Sequence, residues 1–256
     1  MYQHDPYQTA LYKKITNQST LNAFNFHIDD FTEQNYKKNK EVIRGIIEKF
    51  VGVPTGGYIS SWSFNDISGL NTKITSLKNN NRTEFYNLFD MLKADLVGPG
   101  EALLYYLIDD LTLSGHGKPY DAEYKNHKIE VKAAKIYNNK YIVGFGLGVP
   151  STQADVINDL LNFAYDTKTT SSKTTSYIGR PILEKLKSID KDRYESIRAK
   201  YARVTSSYFK DKIAIFFTGG ETSTRGQLIG IKSIIDENDL DIHEYTRNVI
   251  KPMILK

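Results

Sequence analysis

Short extended runs alternating with amphipathic helical runs predict an α/β fold for this chain: a mainly helical N-terminal lobe, then a core of helix, three-strand meander, helix and further strands. Three observations carry the prediction. Val42, Ile43, Ile46, Ile47 and Phe50 recur at helical spacing. The Tyr-, Val- and Ile-rich runs after Pro119 and Tyr141 are punctuated by Asn126-His127 and by Tyr137-Asn-Asn-Lys140, which suit tight turns. Val156, Leu160, Leu161 and Phe163 then mark the apolar side of a helix that follows directly.

In chain order, residues 1 to 50 read as helical, with Lys37, Lys38 and Lys40 on the polar side. Val51 to Leu70 is broken by Gly52, Pro54, Gly56, Gly57 and Gly69 and reads as irregular, with Trp62 as a packing anchor. Phe85, Leu88, Phe89 and Leu92 predict a helix over 82–95, and Pro99-Gly100-Glu101 opens another. A third strand is expected over 141–147 and a helix capped by Thr152 after it. The polar run from Lys168 to Tyr177 reads as a loop, followed by a single helix through Leu186, Ile189, Tyr194, Ile197 and Tyr201. Strands are expected over 212–217 and 227–235, joined by the polar connection 218–226, and Asp239 to Ile254 reads as a closing helix stopped near Pro252. The division expected is a lobe over 1–95 and a core over 96–256, with a basic insertion at about 168–210.

The 256 residues are ample for a buried core, and the absence of Cys excludes disulfides, thiolate metal sites and cysteine nucleophiles. No apolar run reaches membrane-spanning length, and Met1 to Pro6 lacks the regions of a signal peptide, so a soluble cytoplasmic protein is expected. Abundant Lys, Asn, Ile and Tyr suit an AT-rich bacterial or phage genome, and a virion-associated protein stays open.

The densest chemistry lies between Pro119 and Lys132, where Asp121 is set against the tripeptide Glu130-Val131-Lys132. With Asn126-His127 as a two-residue turn, Asp121 faces Lys132 and Glu123 faces Glu130, all on one side, while Ile129, Val131 and Ala133 point to an apolar side. A three-residue turn instead separates Asp121 from Lys132. Carboxylates gathered this way repel one another and suit a hard divalent cation, which takes one or two protein carboxylates and completes its shell with water and phosphate oxygens. A lysine two residues beyond a ligand shares its strand face, where its ammonium can orient water or offset phosphate charge. The tripeptide alone is weakly specific, because acid-x-Lys recurs at Glu123-Tyr124-Lys125 and Asp166-Thr167-Lys168.

These residues resemble the PD-(D/E)XK nuclease superfamily: Asp121 matches its Asp and Glu130-Val131-Lys132 its Glu-x-Lys, over roughly residues 96 to 166 and a later strand at 211–218. The family often carries a glutamate on the preceding helix, and Glu101 stands there, in a first turn whose polarity favours a carboxylate. The resemblance implies a restriction-endonuclease-like core and Mg²⁺-dependent DNA cleavage, with Mn²⁺ as a substitute. Asp121 and Glu130 would be metal ligands, with the Val131 carbonyl a further one and Glu101 holding a second metal or a metal water; Lys132 would orient the attacking water. Gln153, near the start of the next helix, matches a polar position that approaches substrate in similar nucleases.

Charge is unevenly spread. The window 168–210 holds eleven Lys and Arg against four Asp and Glu, a net of +7, leaving −3 for the rest of the +4 chain. Lys185, Lys187, Arg198 and Arg203 on its helix are therefore the expected contacts to DNA phosphates. A solvated helix face explains the same charges without DNA. The run Gly144-Phe-Gly-Leu-Gly148 lacks the Lys-Ser/Thr of a phosphate loop, His116 and His127 lack zinc-site company, and there is no Gly-x-Ser-x-Gly elbow. The expected activity is a DNA endonuclease of restriction or phage type, with DNA as partner, no membrane, and a homodimer left open. The rival is a non-catalytic DNA-binding or phage structural protein on the same fold.

Overall fold

A computed structural model describes residues 40–92, 98–114, 118–144, 150–170, 177–219, 225–246 and 249–256. It shows an α/β protein whose paired strands are mostly antiparallel. Two compact units divide the chain: Met1–Val131 with Gly220–Ile231, and Lys132–Gly219 with Lys232–Lys256. Among the described residues no helix is long and apolar enough to cross a membrane. Lys37, Lys38 and His116 lie outside the described residues.

The first unit contains helices α1 (Lys40–Val51), α2 (Ile67–Asn80), α3 (Arg82–Leu92) and α4 (Pro99–Leu107). It also holds strands β1 (Thr112–Leu113) and β2 (Ala122–Tyr124), the start of β3 (His127–Tyr137), and most of β7 (Leu228–Lys232). Helix α2 goes beyond the sequence expectation, since its Ser, Thr, Asn and Gly are poor helix formers. It forms because Asp66 accepts the Gly69 N–H as an N-cap, and because Leu70, Ile74 and Leu77 fall at helical spacing and are buried.

The C-terminal end of α4 is held by two cations from α1. Lys40 donates to the carbonyls of Ile108, Asp109 and Leu111 at 2.5 to 2.7 Å. Burial, and then the charge of Arg44, lower the Lys40 pKa to about 8; the three carbonyls meanwhile satisfy its ammonium form. Arg44 is buried, donates to the Tyr106 carbonyl at 3.0 Å, pairs with Asp109 at 2.6 Å and stacks its guanidinium 3.7 Å over the Tyr58 ring. Cations belong there, because the last carbonyls of a helix carry partial negative charge and lack intrahelical donors. Trp62 is a packing anchor as expected, buried against Phe64 and Tyr124 with its Nε1 donating to the Asp66 carbonyl.

The second unit comprises the rest of β3, β4 (Lys140–Val143), α5 (Pro150–Asp166), β5 (Tyr177–Ile178), α6 (Arg180–Ile189), α7 (Lys191–Phe209) and β6 (Lys212–Thr218). It closes with a 3₁₀ turn (Glu237–Asp239), β8 (Leu240–Thr246) and β9 (Val249–Leu255). Its strands run in the order β3-β4-β9-β8-β5, and β6 pairs with β3. Helices α5, α6 and α7 contribute Val156, Leu160, Phe163, Leu183, Leu186, Tyr194, Ile197 and Tyr201 to one core, which meets Ile242, Tyr245 and Ile250 of β8 and β9. The β3–β4 turn is the expected Asn138-Asn139, both at positive φ.

Three expectations are corrected here. Asp239 to Ile254 is not a helix but the β8–β9 pair, whose alternating Leu240, Ile242 and β-branched Val249, Ile250 suit a sheet. Pro252 is tolerated because β8 bulges between Ile242 and Glu244 opposite it. The basic helix is two helices, broken where Asp190 ends α6 and caps α7 by accepting the Arg193 N–H. Helix α5 starts at Pro150, so Thr152 lies inside it rather than capping it, as a proline in the first turn favours.

Replacing Arg44 with Met keeps the stem and removes the guanidinium. The loss should be about 2 kcal/mol in urea unfolding, mostly from the buried bond to Tyr106, since Asp109 is 38% exposed and its share is screened. A loss under about 0.5 kcal/mol would show that α4 keeps its end without this residue.

Candidate functional site

The β2–β3 hairpin turns at Lys125-Asn126, both at positive φ, and pairs Ala122 with Ile129, Glu123 with Lys128 and Tyr124 with His127. The expected turn at Asn126-His127 is thereby corrected by one residue and the pairing by two. Asp121 does not face Lys132, and Glu123 does not face Glu130. Two forces explain the shift. The observed register sets Glu123 opposite a lysine instead of a like charge. It also accompanies an anchored Tyr124, whose hydroxyl accepts the Trp62 N–H at 2.6 Å and donates to the Trp62 carbonyl at 3.1 Å.

Asp121 lies just beyond this ladder. Its own N–H donates to the Ile129 carbonyl at 2.9 Å although Ala122 is the residue paired with Ile129, so Asp121 and Ala122 together oppose one residue, as in a β-bulge. Its carboxylate is re-aimed onto β3, where Oδ2 accepts the Val131 N–H at 2.7 Å. Asp121 therefore reaches the backbone immediately after Glu130. Simple strand alternation does not describe its direction, and the shared-face geometry expected for it is replaced by this bulge.

Glu130 is 2% exposed, and Ile129 and Val131 on either side of it are buried as well. A carboxylate persists in such a position only with hydrogen bonds or opposite charge around it. Ala133, expected beside Ile129 and Val131 on the apolar side, is exposed, and Ala134 is buried in its place. Lys132 opens the second unit, with its ammonium 5.6 Å from the centre of the Tyr208 ring; Lys212 lies 4.0 Å over the same ring.

Glu101 occupies the first turn of α4, as the sequence suggests. Its Oε1 folds back over Gly98, the N-cap, where a Cβ would stand 2.9 Å away. The carboxylate thus lies at the positive end of its own helix. Among the described residues no group of three His, Cys, Asp or Glu gathers closely enough to hold a cation, so Asp121, Glu130 and Glu101 do not form a closed set. Gln153 is buried within α5.

The basic segment is less available than its charge suggests. Arg198 bonds Glu195 at 2.6 Å and the Leu240 carbonyl at 3.1 Å. Arg193 pairs with Asp166 at 2.9 Å, Lys200 with Asp159 at 2.8 Å, and Arg203, 77% exposed, meets Glu237 at 3.9 Å. Three of these acids, Asp159, Asp166 and Glu237, lie outside the window 168–210, which is why its summed charge overstates the free charge. Lys185 is exposed; Lys187 lies 5.7 Å from the Tyr194 ring, and both lack an ion-pair partner among the described residues.

No family model, curated protein or solved structure matches this chain.

The bulge separates two roles of Asp121. Asp121→Asn keeps an acceptor for the Val131 N–H and should change unfolding free energy by less than about 1 kcal/mol, whereas Asp121→Leu strands a backbone donor and should cost about 1–3 kcal/mol. Equal losses in the two variants, read by urea titration, would count against the hydrogen bond as the reason for the bulge.

Proposed function

We propose that the protein is a Mg²⁺-dependent deoxyribonuclease of the PD-(D/E)XK type, an endonuclease of restriction or phage kind hydrolysing DNA phosphodiester bonds. The observation that supports this most is the bulge that carries the Asp121 carboxylate to the β3 backbone beside buried Glu130. The succession of α4, the β2-β3-β4 meander and α5, with β6 paired back to β3, fits the restriction-endonuclease-like core.

The residue types suit a hard divalent cation: two carboxylates are as many protein ligands as Mg²⁺ usually takes. Asp121 and Glu130 would hold it, with the Val131 carbonyl completing the protein share and Glu101 reserved for a second metal or a metal water. When bound, such an ion lowers the pKa of water and offsets charge on the phosphoryl oxygens. Lys132, the lysine of the Glu-x-Lys tripeptide, would orient the attacking water and steady the developing negative charge. Asp121 also positions β3, because its bond to Val131 fixes the peptide that follows Glu130.

The second reading, a non-catalytic DNA-binding or phage structural protein, draws on the burial of Glu130 and on the Glu101 carboxylate resting at its own helix end. The decisive experiment incubates plasmid and linear DNA with Mg²⁺ and with EDTA. Cleavage is expected only with Mg²⁺, and Asp121→Asn, Glu130→Gln and Lys132→Ala should each lower its rate by at least about 100-fold while DNA affinity changes little. No cleavage with Mg²⁺ or Mn²⁺ would favour the second reading.

Of the basic segment, Lys185 and Lys187 are the proposed phosphate-binding cations. Lys185→Gln with Lys187→Gln should lower the slope of log affinity against log salt by up to roughly 0.9 for each phosphate that is no longer neutralised. Arg198→Gln should instead lower stability, because its guanidinium is committed to Glu195 and Leu240. An unchanged slope in the lysine variant would mark this face as solvated only.

A further inference from the structure

A second basic cluster flanks the acid pair within the first unit. Tyr120 directly precedes Asp121, and its half-buried ring has the Lys118 ammonium 5.5 Å from its centre and the Lys128 ammonium 5.9 Å from it. The Tyr120 hydroxyl donates to Glu123 Oε2 at 3.2 Å, which fixes the ring against the strand carrying Asp121. Lys118 and Lys128 are both exposed, and among the described residues neither forms an ion pair, although Glu123 stands opposite Lys128 in register. This contrasts with Arg193, Arg198, Lys200 and Arg203, whose charges are met by carboxylates.

Two ammonium groups about one aromatic ring, neither in an ion pair among the described residues, match the chemistry of a nucleic-acid strand. Phosphates are anionic and every base has a face that stacks. Glu123 accepts from the Tyr120 hydroxyl, which orients its carboxylate towards the tyrosine. We propose that Lys118, Tyr120 and Lys128 form a contact for single-stranded nucleic acid, with an unpaired base stacked on Tyr120 and the neighbouring phosphates on the two lysines. Its place beside the reacting centre rests on the nuclease reading; the contact itself does not. The strand entering the site is then locally unpaired at this nucleotide, which makes frayed, flapped or single-stranded DNA the favoured substrate class over intact duplex.

The test uses the full chain and a fluorescein-labelled dT₂₀ oligonucleotide in EDTA, read by anisotropy against the same label on a duplex. Single strand should bind more tightly than duplex. Tyr120→Ala should weaken single-strand binding about tenfold, and Tyr120→Phe, which keeps the ring, should recover most of that loss. Lys118→Gln with Lys128→Gln, both at exposed positions, should reduce the salt slope by about 0.7 for each single-strand phosphate that is no longer neutralised. Circular dichroism checks the fold of Tyr120→Ala, and the lysine variant stands in for it if it unfolds. Unchanged affinity and slope in the lysine variant, or no binding of dT₂₀ by the wild type, overturns the proposal. Loss of binding in these variants without any Mg²⁺-dependent cleavage by the wild type upholds the contact and rejects the nuclease; cleavage with unaltered binding does the reverse.

Discussion

The register of the β2–β3 hairpin is the constraint on which the candidate chemistry depends. A strand alternates its side chains, so a one-residue slip of β2 would put Glu123 and Lys125 where Ala122 and Tyr124 are buried. Tyr124 prevents the slip, because its hydroxyl is tied to both backbone groups of Trp62 and its ring is buried beside those of Trp62 and Phe64. The bulge at Asp121 then adds one residue to one strand only, which re-aims a single carboxylate without disturbing the ladder behind it.

Electrostatics in the two units follow different rules. In the second unit, the arginines and lysines of α7 are mostly met by carboxylates from α5, α7 and the 3₁₀ turn, which gives little stability per pair but offsets their charge. In the first unit, Lys40 is engaged by backbone carbonyls at and beyond the end of α4 and Arg44 by the Tyr106 carbonyl and Asp109, while Lys118 and Lys128 form no ion pair among the described residues. Net charge over a window therefore says less about where phosphates bind than the partners of each cation do.

Periodicity makes α1, α3, α4 and α5 legible, and the Asn138-Asn139 turn declares itself through residues that tolerate positive φ. The Lys125-Asn126 turn does not, since lysine seldom adopts that conformation and nothing local marks it. Helix α2 is hidden because its stability comes from Asp66 and three buried apolar side chains, not from propensity. The β8–β9 pair imitates a helix because Ile242, Tyr245, Val249 and Met253 fall at helical spacing, and only pairing with β4 decides otherwise. For the site, residue types and their order are visible in the sequence, as is the place of Glu101 in a first helical turn; the burial of Glu130 is not, because it depends on packing beyond its own strand.

Strand β8 has seven residues, yet β5 covers only two of them, Tyr245 and Thr246. Towards its other end the Arg198 guanidinium takes the Leu240 carbonyl. A short edge strand and a charged side chain bonded to the backbone are both ways of denying a sheet edge to another chain. Arg198 can thus be viewed as a guard against self-association: neutral substitutions there expose a template for intermolecular strand pairing, and their first symptom would be insoluble protein.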